Sequence, residues 1–233
     1  MKTTIKLLGF VLITAAIAVS CGSGTEADEV GQVQDVAEMV GGTYAVDTDA
    51  SVINWRGEKF SGDFHTGTVA IKDGELAVEN GAITGGNFTI DMTNMTVTDE
   101  MPEKKKAGLL GHLQGTKGNE GDADFFQITK YPTASFEITS VKGNEVSGNL
   151  TMLDSTHNVT FTTTTSIEDG KLTASTEDFT FDRTLWGITF MSSSLEGMVK
   201  EKALKDEITI SISLTANEAG AEGEAASDEA TEE

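Results

Sequence analysis

From Thr43 to Ala216, apolar and polar residues alternate in short runs: Ile53/Trp55, Val69/Ile71, Leu76/Val78, Phe88/Ile90/Met92, Phe136/Ile138, Leu150/Met152, Val159/Phe161, Phe179/Phe181 and Ile208/Ile210/Ile212/Leu214. The period is two, which sets one face of a strand against a core. Threonines fill many intervening places, as in Thr160-Phe161-Thr162-Thr163-Thr164-Thr165, and suit the solvated face of a sheet. Asp73-Gly74, Asn80-Gly81 and Asp169-Gly170 stand between runs and accept positive φ at little cost, so they predict hairpins. Both prolines, Pro102 and Pro132, fall outside the runs and leave the strands unbroken. Eight or nine short strands in about 175 residues predict an all-β sandwich or barrel. One region departs from the pattern. Pro102 to Leu113 carries leucines at helical spacing, and Asp124-Phe125-Phe126-Gln127-Ile128 follows a Gly-rich gap, predicting two short helices or turns. Leu195 to Lys205 is a further short helical or loop segment.

The ends differ in kind. Lys2 and Lys6 precede an apolar stretch from Leu7 to Val19, which leads through Ser20 to Cys21. That stretch is short for about 30 Å of hydrocarbon and reads as a secretory signal over residues 1–20. Ala18-Val19-Ser20-Cys21 resembles the lipobox of bacterial lipoproteins, with Ala18 where leucine is commonest. The resemblance implies that the Cys21 thiol takes a diacylglyceryl group, a role for which a thiolate is the best available nucleophile. A buried structural cysteine is the alternative, but no core surrounds this position. Two or more acyl chains would hold the protein firmly to a membrane. The expected location is therefore the cell envelope, on the periplasmic face or the outer membrane surface. With Cys21 as the sole cysteine, one chain forms no disulfide, and the body relies on its core.

The formal charge is −22, and it moves to −24 without residues 1–20, which hold two lysines and no acid. Such a chain repels phosphate, so nucleic acid and anionic lipid surfaces are poor partners for it, and its acidity reads mainly as solubility. Residues 217–233 hold Glu218, Glu222, Glu224, Asp228, Glu229, Glu232 and Glu233 without a base or a large apolar residue, which predicts a disordered acidic tail. Residues 21–42 are Gly-rich and acidic, with a weak apolar spacing at Val30, Val33, Val36 and Val40. They read as a flexible spacer between Cys21 and the domain at 43–216.

Within that domain an ordered set of segments resembles the YceI family of periplasmic polyisoprenoid-binding, lipocalin-like proteins. Tyr44-Ala45-Val46-Asp47 with Ser51-Val52-Ile53-Asn54-Trp55 is similar to the family's opening strand, and Gly85-Gly86-Asn87-Phe88-Thr89-Ile90-Asp91-Met92 to its central one. His112-Leu113, Asp124-Phe125-Phe126 and Tyr131-Pro132-Thr133-Ala134-Ser135-Phe136 resemble its most recognisable run. Gly148-Asn149-Leu150-Thr151-Met152, Phe181-Asp182-Arg183-Thr184 with Gly187-Ile188, and Asp206-Glu207-Ile208-Thr209-Ile210 follow in order. Three departures stand out: residues 114–123 read as an insertion, Asp154 replaces a usual glycine, and Asn158 a frequent proline. The resemblance implies an all-β, elongated eight-stranded antiparallel lipocalin-like barrel with one or two short helices, holding a long isoprenoid such as a polyprenyl phosphate or quinone.

A barrel of this size has room for one slender ligand where its inward positions are apolar. The candidate lining is Phe64, Phe88, Ile90, Met92, Phe136, Ile138, Leu150, Met152, Phe161, Phe179 and Phe181. Methionine suits a chain without fixed shape. The alternative is that these residues fill a packed core. His112 and Arg183 are candidate head-group contacts, a guanidinium being apt for a phosphate or carbonyl oxygen. For Arg183 the competing expectation is an ion pair with Asp182, Asp178 or another carboxylate at the barrel end. His65, His112 and His157 lack metal-ligand spacing. Asp47, Asp49, Ser51 and Glu58 mimic a calcium loop, but Val52 stands where glycine is required. Gly85-Gly86, set among strands, reads as a bulge or tight bend. No nucleophile-elbow motif occurs and no metal or cofactor is expected. The expected function is non-catalytic binding, carriage or sequestration of a long-chain isoprenoid, quinone-like or similar amphipathic lipid on a membrane-tethered protein. A ligand-free β-domain serving as an interaction module is the alternative, and a lipid hydrolase a third reading.

Overall fold

Strands dominate wherever the alternation is regular, and their pairing closes on itself. A computed structural model of the chain describes residues 30–116 and 125–220. The expected signal segment, Cys21, Asp124 and the tail from 221 lie outside the described residues. The strands are β1 (Gly42–Val46), β2 (Val52–Glu58), β3 (Phe64–Glu79), β4 (Ala82–Met95), β5 (Thr133–Lys142), β6 (Glu145–Met152), β7 (Ser155–Glu168), β8 (Lys171–Thr176), β9 (Phe179–Asp182) and β10 (Glu207–Glu218). The ring runs β10-β2-β3-β4-β5-β6-β7-β8 and returns to β10, every pairing antiparallel. β10 makes closure possible by changing partners along its length. Residues 209–213 pair with β2 and 207–210 with β9, while 213–217 pair with β8 and 216–218 with β1. The chain thus forms the expected antiparallel eight-stranded barrel, with β1 and β9 as short additions.

Asn80-Gly81 and Asp169-Gly170 make the expected two-residue turns, with positive φ at both positions of each. Asp73-Gly74 does not. It lies inside β3, where the register shifts between Ile71 and Asp73 and the strand continues. The physical reason is packing: a Cβ on Gly74 would come within 2.7 Å of the Phe88 ring, so this glycine admits a neighbouring side chain rather than turning the chain. A register shift opposite Gly85 places the expected bulge between Ala77 and Val78. The turns at Gly143-Asn144 and Leu153-Asp154 complete the β5–β6–β7 meander, with positive φ at Gly143 and Leu153.

Among the described residues there is one α-helix, α1 (Glu103–Leu113), which begins directly after Pro102, whose missing N–H costs a helix start nothing. Of the two short helices or turns expected, the second is a turn: residues 125–130 form no helix, and Gln127 has positive φ. Single 3₁₀ turns occur at Arg183–Trp186 and, within the 195–205 segment, at Lys200–Lys202. Leu109 and Leu113 of α1 join Phe125 and Phe126 against the core at one end of the barrel, hereafter the helix end. The other end is formed by the hairpins at 80–81, 143–144 and 169–170.

The spacer expected over 21–42 is corrected in its second half. Residues 30–41 lie across the outside of the barrel as a strap. Gly31 exchanges backbone hydrogen bonds with Asn158 on β7, and Gln34 accepts from and donates to the Asn149 side chain on β6. Ala37 donates to the Ile138 carbonyl on β5, and the Thr84 hydroxyl on β4 donates to the Val40 carbonyl. Asn149 and Asn158 are 4% and 2% exposed, although they point outward between Gly148/Leu150 and His157/Val159. Their amides give this polar segment fixed partners, which composition alone does not reveal.

Candidate functional site

Because successive side chains on a strand point to opposite faces, the even or odd parity of each strand decides what faces the barrel axis. The inward sets of β2 to β10 enclose a cavity of about 250 Å³. Its lining reaches from Leu76 and Val146 toward the hairpin end to Arg56, Glu58, His65 and Lys205 at the helix end, and is otherwise apolar apart from Thr163, Ser175, Thr176 and Arg183. Phe88, Ile90, Met92, Phe136, Ile138, Leu150, Met152, Phe161, Phe179 and Phe181 all line it. The phenylalanines form a belt, with ring centroids 6.2 Å apart for Phe88–Phe136, 5.6 Å for Phe136–Phe161 and 4.6 Å for Phe161–Phe179.

Phe64 is the exception. On β3 the inward residues are His65, Val69 and Ile71, so Phe64 has the wrong parity; it is 48% exposed, with the Arg56 guanidinium 3.8 Å from its ring centre. His112 is likewise outside the lining. It is exposed on α1, between the inward Leu109 and Leu113, and stacks on Phe190 at 6.1 Å. The resemblance carried its position but not its direction.

Arg183 does line the cavity and is 2% exposed. Its donors, however, serve the protein. Nη1 donates to the Ile188 carbonyl at 2.6 Å, Nε to the Lys205 carbonyl at 3.3 Å, and Nη2 to Asp206 Oδ1 at 3.5 Å. Burial pushes its pKa down, opposed by Asp206 and Asp182. The carboxylate partner is Asp206, not Asp178 or Asp182, and the guanidinium clamps the 183–188 loop to the strand leading into β10.

The polar groups at the helix end form their own network. Glu58 accepts from Lys205 Nζ and Arg56 Nη2, each at 2.8 Å, and these bonds hold its carboxyl below the usual range. Asp99 is partly buried, which opposes ionisation. Hydrogen bonds from His65, the Thr66 amide and the Thr66 hydroxyl outweigh that cost and keep its pKa low. Trp55 lines the cavity with its indole over Gly67, and its Nε1 is buried without a partner among the described residues. Lining residues outside the predicted set include Ile53, Trp55, Ile208, Ile210, Ile212 and Leu214, all of which carried the alternation signal in sequence.

An apolar cavity, partly open and with charged groups confined to one end, suits an aliphatic chain with a polar terminus. Comparison with known proteins agrees with the architecture. A family model described as a YceI-like domain matches residues 44–216. The structure is similar to that of Burkholderia cenocepacia BcnA, with 17% identity, a TM-score of 0.52, and coverage of 74% of this chain and 99% of that one. It is also similar to a polyisoprenoid binding domain from Saccharophagus degradans implicated in plant cell wall breakdown, with 10% identity, a TM-score of 0.53, and coverage of 79% and 100%. No curated protein matches the sequence.

Proposed function

Because the chain belongs to the YceI-like family, we propose that its barrel is a non-catalytic binder and carrier of a long isoprenoid or similar amphipathic lipid, held at a membrane through acylated Cys21. The observation that carries the reading is the cavity: about 250 Å³ of space lined by Phe, Ile, Leu and Met rather than filled by them. Burial of each CH₂ of a ligand there contributes about 0.8 kcal/mol, so affinity grows with chain length, and no single polar contact is needed to hold the tail. The cavity counts against a ligand-free interaction module, whose interior would be packed to the density of an ordinary core. A quinone and a polyprenyl phosphate both fit this chemistry, differing in the head presented at the helix end.

The test is organic extraction of the full-length protein purified from its producing cells, followed by mass spectrometry of the extract. A long-chain isoprenoid in about stoichiometric amount is the expected result. Absence of lipid, together with failure to take up any added isoprenoid, refutes the proposal. For the tether, Cys21→Ser is expected to abolish acyl incorporation and membrane retention; unchanged labelling with radioactive palmitate contradicts it.

A further inference from the structure

The exposed apolar residues of the barrel body are not scattered. Apart from the strap, the large ones are Phe60, Phe64, Leu185, Leu195 and Val199, and all lie on strand ends and loops at the helix end. Three of them share one surface. Phe60 donates its amide to the Ala203 carbonyl, Lys59 bridges to Leu204, and Lys205 donates its amide to the Glu58 carbonyl, which sets the 59–64 turn beside the 195–205 segment. Phe60 and Val199 are therefore neighbours on this rim, with Phe64 at the start of β3. Cations sit on them: Lys200 Nζ is 5.0 Å from the Phe60 ring centre, and Arg56 is 3.8 Å from that of Phe64. Lys59 and Lys202 flank the same turn, with Asp63, Glu196 and Glu201 the acids on the two loops; Lys104, Lys105 and Lys106 stand in the first turn of α1 at this end, behind Asp99, Glu100 and Glu103, the last paired with Lys106.

The opposite end is different in kind. Its hairpins carry Glu79, Glu145, Glu168, Asp169 and Glu218 against Lys142 and Lys171, and expose no large apolar residue of their own, the exposed Met39 and Val40 beside β4 belonging to the strap. β10 runs between the two ends over 12 residues, and with the tilt of a barrel strand the ends lie roughly 30 Å apart. At physiological ionic strength that is several Debye lengths, so the overall charge of −22 does not decide what the helix end meets.

From these observations we propose that the helix end, through Phe60, Phe64 and Val199 with Lys59, Lys200 and Lys202, docks on a bilayer surface containing anionic phospholipid. Exposed aromatic and aliphatic side chains ringed by lysines are the combination that enters a headgroup interface, the apolar groups inserting and the ammonium groups meeting phosphate. The site adjoins Arg56, Glu58, Leu204 and Lys205, which line the polar end of the cavity, so the docked barrel presents its opening region to the lipid phase. The strap points the same way. The chain enters the described body at Val30–Gly31 beside Asn158, three residues from the start of β7 at the helix end. The docking does not depend on which lipid the cavity takes.

The test uses the full chain bearing Cys21→Ser, which removes its sole thiol, and single replacements Phe60→Cys, Val199→Cys or Asn144→Cys labelled with an environment-sensitive fluorophore. Vesicles of phosphatidylcholine with phosphatidylglycerol are expected to brighten and blue-shift the label at 60 and at 199, but not at 144 on the opposite hairpin. Replacing Lys59 and Lys202 by glutamine is expected to weaken the response by about fivefold per residue. No change at 60 and 199, or an equal change at 144, overturns the proposal. An equal response to phosphatidylcholine alone overturns the assignment to an anionic surface. Neither outcome touches lipid uptake by the cavity, which the extraction experiment measures separately.

Discussion

Replacement of Arg183 by methionine separates a clamp from a ligand contact. The guanidinium is nearly fully buried and holds two backbone carbonyls and one carboxylate. The bond to Ile188 O, at 2.6 Å, is the strongest. Hydrogen bonds to charged groups contribute about 1.5–3 kcal/mol. Removing one partner of a buried pair costs about 3–5 kcal/mol, but Asp206 is 20% exposed and sits at 3.5 Å, so its share lies at the low end. Methionine preserves much of the apolar stem, leaving a net loss of about 3 kcal/mol. For a domain of this size about 1 kcal/mol shifts Tm by 2–4 °C, so Arg183→Met is expected to melt roughly 6–12 °C below the parent. Arg183→Lys should recover less than half of this, because an ammonium cannot span the three acceptors held by the planar fork. The assay is thermal unfolding followed by far-ultraviolet circular dichroism, paired with isoprenoid binding measured well below both transitions. The clamp reasoning requires affinity within about threefold of the parent. Wild-type Tm with a tenfold loss of affinity would refute it and return Arg183 to the head-group role.

Three further outcomes follow from the packing and the charges. A Cβ on Gly148 would lie 2.2 Å from Phe136 Cζ and 2.8 Å from the Glu137 carbonyl, so Gly148→Ala should cost about 1–3 kcal/mol in urea unfolding and reduce lipid capacity; an unchanged midpoint counts against the packing described. Asn158→Ala removes the amide that donates to Thr139 Oγ1 and Asn149 Oδ1, and is expected to cost about 1–2 kcal/mol and to speed amide exchange at Gly31 and Ala37; exchange already unprotected in the parent would refute the strap. Glu58, Asp91 and Asp99 have depressed pKa values in the folded state. Their contribution is therefore present above the unfolded carboxyl range near pH 4 and lost as pH falls through the lower folded values. Urea midpoints should hold from pH 7 to about 5 and fall below about 4, with a shallower acid limb in Asp99→Asn; superimposable limbs would contradict this.

Sequence alternation located most of this barrel because its interior is one continuous apolar surface read by strand parity. The same rule exposes the error at Phe64. A hydrophobic residue at a strand start looks inward until the register of Val69 and Ile71 is followed back to His65. Asp73-Gly74 misled for a different reason, since a turn dipeptide and a bulge under an aromatic ring have the same local chemistry. The strap was illegible because its partners, Asn149 and Asn158, lie more than one hundred residues away and its own composition is that of a linker. His112 and Arg183 were found by resemblance, which fixes a place in the chain and leaves the direction of the side chain to the loops around it. The grouping of Lys59 with the lysines at 200 and 202 was hidden by averaging: a chain of −22 can still set a few lysines together once folding brings residue 59 beside 204, with Asp63, Glu196 and Glu201 among them.

Why the interior stays hollow, although its lining is rich in phenylalanine, follows from where the inward glycines fall. A Cβ on Gly74 would strike Phe88, on Gly148 the Phe136 ring, on Gly67 the Trp55 indole, and on Gly86 the Leu76 and Ile138 side chains. At each site the absent side chain makes room for a large neighbour on an adjacent strand. The glycines lower strand stability by roughly 0.5–1 kcal/mol each relative to alanine, a cost a packed core would have no reason to bear. The aromatic rings keep their contacts with one another around the belt, and a cavity of about 250 Å³ remains beside them. A barrel lined this way recovers its full apolar burial only when something slender occupies the centre. The stability of the loaded protein should then exceed that of the empty one by RT ln(1 + [L]/Kd), and a melting temperature that climbs with added isoprenoid is the direct sign of that linkage.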